Sequence, residues 1–238
     1  RGETMAAWRT WIVFVFACSC YSNTLKGNFL FDDVVAIQNN PDVNPDNDWT
    51  RVFANDFWGR PIQDKYSHKS YRPITTLSFR ANAFLSSFSC GRWKEFKHKC
   101  PSATWTFHLL NLLLHALNSA LLLSLLRQTL GQEEENASLA ASLLFAAHPI
   151  HSEAVANIVG RSELIAAFFY LSAAMCYTRA NAATKTHAVP LVLALVFSAA
   201  SLLSKEQESF GELLSCLSSY SSTSSSSPKK TFRCLPSL

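Results

Sequence analysis

Two adjacent carboxylates, Asp32 and Asp33, follow the first apolar segment of the chain. Such a pair suits general-base chemistry, because hydrogen bonds hold one carboxylate while the other meets a hydroxyl group. A position beside a membrane raises a carboxyl pKa toward the range in which the group takes up a proton. The alternative is structural: the pair caps a helix or forms an ion pair with Lys26.

Two other groups of ionisable residues lie far from this pair in the chain: His148, His151, Glu153 and Arg161 in one segment, and Lys205-Glu206 in another. The cations Arg161, Lys205 and Arg72 suit an anionic leaving group such as a lipid phosphate. Together with a general base, they fit sugar transfer from a lipid-phosphate donor to an acceptor hydroxyl. In the structural alternative, the two histidines form hydrogen bonds at a membrane interface.

The same segment, His148–Glu163, raises the question of a metal site, because His148, His151 and Glu153 are close in sequence. Their spacing is not that of the HExxH zinc helix, and Pro149 prevents a regular helical face. We therefore predict no metal at this segment and no phosphate-binding glycine loop.

The composition favours a membrane protein. The chain has 238 residues, of which 48% are hydrophobic and 16% are charged, whereas a globular protein has roughly 25% charged residues. A net charge of +4 that is spread among acids does not predict a nucleic-acid surface. Seven cysteines do not form a disulfide scaffold in a chain of this length. Cys90 and Cys100 form a disulfide if their shared loop faces an oxidising lumen; the sequence leaves this open.

The apolar runs divide the chain into an all-α integral membrane protein with several spans. We predict a first transmembrane helix or signal anchor over residues 1–26, retained or cleaved, and a long lumenal loop over 27–104 with a helix over 74–85. A membrane bundle follows over 105–207, with spans at about 107–126, 137–147, 164–178 and 188–203. Residues 208–238 form a serine-rich tail, which we predict to be disordered and divergent.

The span at 107–126 has a polar stripe, His108, Asn111, His115 and Asn118, whose spacing puts all four residues on one helical face. Such a stripe faces other helices or a wet cavity. The two interpretations are interhelical hydrogen bonding and direct substrate contact.

Counting the spans from a cytosolic amino terminus predicts the topology. It places Asp32-Asp33, the segment His148–Glu163 and Lys205-Glu206 at the same lumenal face. The one glycosylation acceptor pattern, Asn136-Ala137-Ser138, falls in the cytosol and is expected to stay unmodified.

Several motifs in order resemble the transmembrane and tetratricopeptide-repeat-containing (TMTC) proteins, over roughly residues 8–207. They are Phe31-Asp32-Asp33, Asn55-Asp56-Phe57-Trp58-Gly59, Ser67-His68-Lys69-Ser70-Tyr71-Arg72-Pro73, Phe107-His108-Leu109-Leu110-Asn111, His148-Pro149-Ile150-His151-Ser152-Glu153-Ala154-Val155, Gly160-Arg161 and Lys205-Glu206-Gln207.

The resemblance implies a GT-C-like helical bundle in the endoplasmic-reticulum membrane. It also implies an O-mannosyltransferase that moves mannose from dolichyl-phosphate mannose to Ser/Thr of secretory or cell-surface acceptors such as cadherins. No cofactor beyond that lipid-linked donor is expected. The catalytic acid of that fold lies in the first lumenal loop, which points to Asp32 or Asp33, with Asp56 as the runner-up.

The chain also departs from the family pattern. Relatives continue past Lys205-Glu206-Gln207 into more spans and a tetratricopeptide array, whereas this chain turns into the serine-rich tail and has no repeat of about 34 residues. We therefore expect an incomplete form, the amino-terminal part of the transferase. The competing hypothesis is a non-catalytic membrane scaffold or adaptor of the endoplasmic reticulum, in which the same motifs only hold helices together.

Overall fold

The computed structural model describes residues 2–90, 104–182 and 188–206. Within these ranges every regular element is helical, apart from one isolated bridge between Asn55 and Pro61. The helices are α1 (Gly2–Cys20), α2 (Pro73–Cys90), α3 (Thr104–Leu130), α4 (Glu135–Ala147), α5 (His151–Ala156), α6 (Arg161–Ala182) and α7 (Ala188–Ser204). The Cys90–Cys100 disulfide, which the sequence leaves open, and the tail 208–238 lie outside the described side chains.

The all-helical class is confirmed, and helices occupy the apolar runs. Two segments are long and apolar enough to cross a membrane by length and composition, Thr104–Leu130 and Ile158–Ala180. Ala7–Cys20 and Ala188–Ser204 are apolar but shorter. The 13 residues of α4 extend only about 20 Å at 1.5 Å per residue, less than the thickness of a bilayer core.

Hydrogen bonds between the helices show in which direction each helix runs relative to its neighbours. Helix α6 runs parallel to α3, because Asn118 Nδ2 donates to the Leu164 carbonyl at 2.9 Å and Gln128 Nε2 donates to the Met175 carbonyl at 3.2 Å. Helix α4 returns antiparallel to α3, since Arg127 Nε donates to Glu135 Oε2 at 2.9 Å at the start of α4 and His115 Nε2 lies 3.0 Å from the Ala146 carbonyl near its end.

Helices α1 and α7 also run antiparallel to α3 and α6. Arg127 near the end of α3 donates to Thr10 Oγ1 at 2.9 Å, whereas the Tyr21 ring, just beyond α1, packs on His115. In α7, Ser201 Oγ donates to the Ala166 carbonyl of α6 at 2.9 Å. Thus α3 and α6 begin where α1, α4 and α7 end, and we call this the first-loop end of the bundle.

The polar stripe of α3 is buried, with His108, Asn111, His115 and Asn118 each at most 2% exposed. Asn111 Nδ2 donates to the Asn157 carbonyl at 3.1 Å, and the next two stripe residues contact α4 and α6 as described above. Two of these contacts join helices, and the third joins α3 to the residue just after α5. They support the structural interpretation of the stripe.

The part of the first loop that precedes α2, residues 27–72, is folded, although it has little regular structure. Arg80 of α2 donates to the carbonyls of Asp42, Asn44 and Pro45 at 2.7–3.1 Å, which wraps the chain around one guanidinium. Beneath it, an apolar cluster joins the loop to the bundle and includes Ile37, Phe57, Phe79, Phe107 and Ile158. The loop therefore packs directly against the first turns of α3 and of the second candidate span.

Candidate active site

The Asp33 carboxylate connects the first loop to Val159, in the turn just before α6. Its Oδ1 accepts a hydrogen bond from the Val159 N–H at 2.9 Å, and its Oδ2 accepts one from the Leu30 N–H at 3.1 Å. The side chain is 1% exposed. Burial raises the pKa of Asp33 above its ordinary value, although the two hydrogen bonds and the nearby Arg161 charge act in the opposite direction.

Asp32 has the opposite environment, because its side chain is exposed to solvent. The residue types alone leave the two acids equivalent, whereas the structure separates them. Asp33 holds backbone groups in place, and the Asp32 carboxylate is accessible from solvent.

Asp56 lies in the interior of the first loop and is 2% exposed. Its Oδ1 accepts hydrogen bonds from the N–H groups of Trp58 and Arg60 at 3.0 and 2.9 Å. Its Oδ2 accepts the Ser67 hydroxyl at 2.6 Å and the His68 N–H at 3.2 Å. In this arrangement the carboxylate organises the turns that run from Trp58 to His68.

Arg161 is fully buried at the start of α6. Nε donates to Asn111 Oδ1 at 2.8 Å, and Nη2 donates to Asn82 Oδ1 and to the Phe107 carbonyl, both at 2.9 Å. Nη1 lies 3.4 Å from the Ser78 carbonyl. The guanidinium thus ties α2, α3 and α6 together.

Aromatic rings complete this site. The guanidinium carbon lies 4.7 Å from the centroid of Phe79 and 5.3 Å from that of Phe107, within the range of cation–π attraction. In the described arrangement Arg161 is enclosed by protein groups and presents no surface to a phosphate. Its predicted phosphate-binding role stays a prediction.

His148 and His151 lie on a turn that the end of α1 holds in place. The Tyr21 hydroxyl donates to the His148 carbonyl at 2.7 Å. The His151 ring packs 4.3 Å from the Phe145 ring and 5.0 Å from the His115 ring, measured between centroids. Burial, helped by the two neighbouring histidines, lowers the pKa of His151 to about 4, so the ring is neutral at physiological pH.

The third group of candidate residues lies at the same end of the bundle. Lys205 Nζ forms an ion pair with Glu163 Oε1 at 2.6 Å, which connects the end of α7 to the first turn of α6. One residue earlier, the Ser204 carbonyl accepts the Thr75 hydroxyl of α2 at 2.7 Å. Glu206 and Glu153 are exposed, and the Arg72 guanidinium lies 4.9 Å from the Phe57 ring centroid.

All three predicted groups therefore lie at the first-loop end, and two direct contacts join them: Asp33 to Val159, and Glu163 to Lys205. Sequence reasoning missed Tyr21, Asn82 and Glu163 as partners of the candidate residues. Glu163 lies within the segment that was singled out, so its charge was a usable signal. The sequence contains no comparable signal for Asn82, because a single asparagine in an amphipathic helix has many possible neighbours.

In the described residues, the fold and this cluster define a helical bundle with two helices of membrane-spanning length and a folded loop at one end. The chain is 42% identical over 199 residues to protein O-mannosyl-transferase TMTC3 of Mus musculus, a match that covers 83% of this chain and 20% of that protein. It is 41% identical to the TMTC3 protein of Homo sapiens over 190 residues, which covers 79% of this chain and 19% of that protein.

Another relative, protein O-mannosyl-transferase Tmtc2 of Drosophila melanogaster, is 40% identical over 200 residues, with 81% of this chain and 20% of that protein covered. No family model and no solved structure matches the chain. The chain belongs to the TMTC family, and it spans about a fifth of the length of these relatives. This relationship and the two apolar helices indicate a membrane protein.

Proposed function

We propose that this chain forms the amino-terminal part of a protein O-mannosyltransferase of the endoplasmic-reticulum membrane. The donor is dolichyl-phosphate mannose, and the acceptors are Ser/Thr hydroxyls of secretory or cell-surface proteins, with cadherin-type domains the expected class. The observation that carries the proposal is the match to relatives named protein O-mannosyl-transferase across most of this chain. The gathering of acids and cations at the first-loop end supports it.

In this proposal Asp32 is the general base. It takes the proton of the acceptor hydroxyl while the hydroxyl oxygen bonds to the anomeric carbon of mannose, and the bond from that carbon to the phosphate oxygen breaks. Asp32 fits this role better than Asp33 or Asp56 because its carboxylate is exposed, whereas the other two are buried and accept backbone hydrogen bonds.

Lys205 and Arg72 stabilise the charge of the departing lipid phosphate, as cations near a phosphoryl oxygen do. The exposed Glu153, with the neighbouring His148 and His151, shapes the donor pocket. Asp33 and Arg161 act as positioning residues: the first holds the loop next to Asp32, and the second fixes α2 against α3 and α6.

The test uses a chimaera in which residues 1–205 of this chain replace the matching part of the mouse TMTC3 relative. The chimaera is expressed in cells that lack their own transferases of this family, and mannose on an acceptor domain is measured by mass spectrometry. Asp32→Asn is expected to lower mannosylation by about 100-fold or more, the usual size of a general-base effect.

The matched control is Asp46→Asn, which removes another exposed acid of the same loop and is expected to leave mannosylation unchanged. Full mannosylation by the Asp32→Asn chimaera would contradict the catalytic assignment. A chimaera that transfers no mannose even with Asp32 in place, although it is folded and inserted, would favour the scaffold hypothesis.

A further inference from the structure

Phe31, next to Asp32, is exposed and has an unusual backbone conformation. Its side chain is 90% exposed, and its φ angle is +43°. A positive φ is rare for a bulky residue, because the side chain crowds its own backbone. Phe31 therefore carries two unfavourable terms in the free energy of folding: a strained backbone, and a phenyl ring that is left in contact with solvent. Strain of this kind collects at functional positions.

The surrounding turn is braced, so the outward position of Phe31 is fixed. The Asp33 N–H donates to the Leu30 carbonyl at 2.9 Å, and the Val34 N–H donates to the Phe31 carbonyl at 3.2 Å. The Asp33 carboxylate closes the turn from the other side through the Leu30 N–H, and it is itself tied to Val159. The turn is thus clamped to the start of the second candidate span.

Phe31 is also part of an apolar patch. Leu30 is 61% exposed and Val35 is 48% exposed. We call Leu30, Phe31 and Val35 the apolar tip of the first loop. Asp32 lies within it and is exposed as well. Three exposed apolar side chains around one acid suit a place where water and a nonpolar medium meet.

The neighbours of the apolar tip show where it lies along the axis of the bundle. The Phe29 ring packs on the Phe107 ring in the first turn of α3, with centroids 5.4 Å apart. Gly27 lies so close to α3 that a β-carbon there would come within 2.7 Å of His108 Nε2. Since Asp33 contacts Val159, the tip lies where both candidate spans begin. At this level Trp105 is 49% exposed, as interfacial aromatic residues are.

We propose that the apolar tip inserts into the lipid bilayer at its polar–apolar boundary, with Phe31 as the anchoring residue. The apolar tip lies beside the first residues of both candidate spans, which would enter the bilayer at this level. We therefore infer that lipid, and not another protein, covers the tip. Insertion fixes Asp32 at the depth of the lipid headgroups, because that residue is flanked on both sides by anchoring side chains. The strained backbone at Phe31 turns the ring toward the membrane while Asp33 keeps the turn attached to the bundle.

The test is site-specific photocrosslinking of the full chain in native membranes. Benzoyl-phenylalanine is placed at position 31, at position 66 and at position 192, in cells whose phospholipids carry a clickable acyl chain. Tyr66 is the matched aromatic control, because it is 66% exposed in the same loop away from the tip. Val192, 56% exposed on α7, supplies a residue from an apolar helix face. The new side chain at position 31 replaces an exposed phenyl ring, so the fold is retained.

After illumination, we expect lipid adducts at position 31 in a yield similar to that at position 192 and severalfold above that at position 66. Equal lipid yields at positions 31 and 66, or no lipid adduct at position 31, would overturn the proposal. A protein adduct at position 31 in place of the lipid adduct would overturn it too, since the tip would then be a protein-binding surface.

Discussion

The Asp33 carboxylate accepts the N–H of Val159, a residue 126 positions further along the chain, at 2.9 Å. This single contact connects the loop after α1 with the turn that starts the second candidate span. Its neighbour Asp32 makes no comparable long-range contact among the hydrogen bonds of the described residues and is exposed. The two acids of the pair therefore have different environments: Asp33 is buried and holds backbone groups, whereas Asp32 is exposed.

Asp33→Ala is expected to destabilise the protein by about 1–3 kcal/mol, because the Leu30 N–H loses its acceptor. The Val159 N–H loses its shorter bond and keeps only the 3.2 Å bond to Asn157 Oδ1. Asp32→Ala, the matched control, is expected to change stability by less than about 0.5 kcal/mol, as surface substitutions do. Thermal unfolding of the detergent-solubilised chain, followed by circular dichroism, measures both. Equal losses in the two variants would show that the carboxylates share one role.

Arg161→Met is expected to destabilise the protein by about 3 kcal/mol or more, since it leaves the buried side-chain oxygens of Asn82 and Asn111 without a donor at about 1–3 kcal/mol each. The Phe107 carbonyl also loses one of its donors. Arg51→Met removes an exposed arginine and is expected to have little effect. Denaturant unfolding compares the two. A direct phosphate-binding role predicts the reverse for Arg161→Met, with lost mannosylation and unchanged stability.

Acid is expected to weaken the fold through His151. Its pKa in the folded protein is about 4, below the ordinary value of 6.5, so the unfolded chain binds the proton more tightly. The contribution of neutral His151 to the free energy of unfolding is therefore complete above pH 6.5, and it is lost as the pH drops from 6.5 toward 4. His151→Gln is expected to flatten this part of the curve of melting temperature against pH. His68→Gln, at an exposed histidine of the first loop, is expected to keep the slope of the unaltered chain. A slope in His151→Gln as steep as that of the unaltered chain would contradict the assignment.

Glycosylation tests the topology. Lys65→Asn places an asparagine two residues before Ser67 and so creates an acceptor pattern on an exposed part of the first loop, where a lumenal loop is expected to receive a glycan. The natural acceptor Asn136-Ala137-Ser138 is expected to stay unmodified, since Ser138 is fully buried in α4 and the Asn136 side chain lies 3.4 Å from Arg9. Endoglycosidase digestion reports both on a gel. A glycan at Asn136 together with none at the engineered acceptor would invert the topology.

Much of the architecture was predictable because apolar runs and polar spacing are local properties. The α3 stripe follows from a spacing of three and four residues, and its burial follows from the cost of polar groups in lipid. The gathering of the three charged groups at one end follows from counting helices. The separate environments of Asp32 and Asp33 were not predictable, since they depend on which carboxylate reaches Val159.

The burial of Arg161 could not be predicted from the sequence, because it also depends on tertiary packing. An arginine at the start of an apolar helix is typical of an interfacial cation, and the sequence favours an exposed, phosphate-binding side chain. The structure instead surrounds it with Asn82 and Asn111. The position of Asn82 depends on how α2 packs against α3, a tertiary relationship that no local pattern reports.

The acceptors of that buried guanidinium have a consequence for how the protein is made. Asn82 and Asn111 precede Arg161 in the chain, so a ribosome delivers both amide groups before the charge that they receive. Arg161 buried without these acceptors would be an uncompensated charge, which is strongly destabilising. We therefore expect the start of the second candidate span to reach its final position only after the first loop has packed against α3.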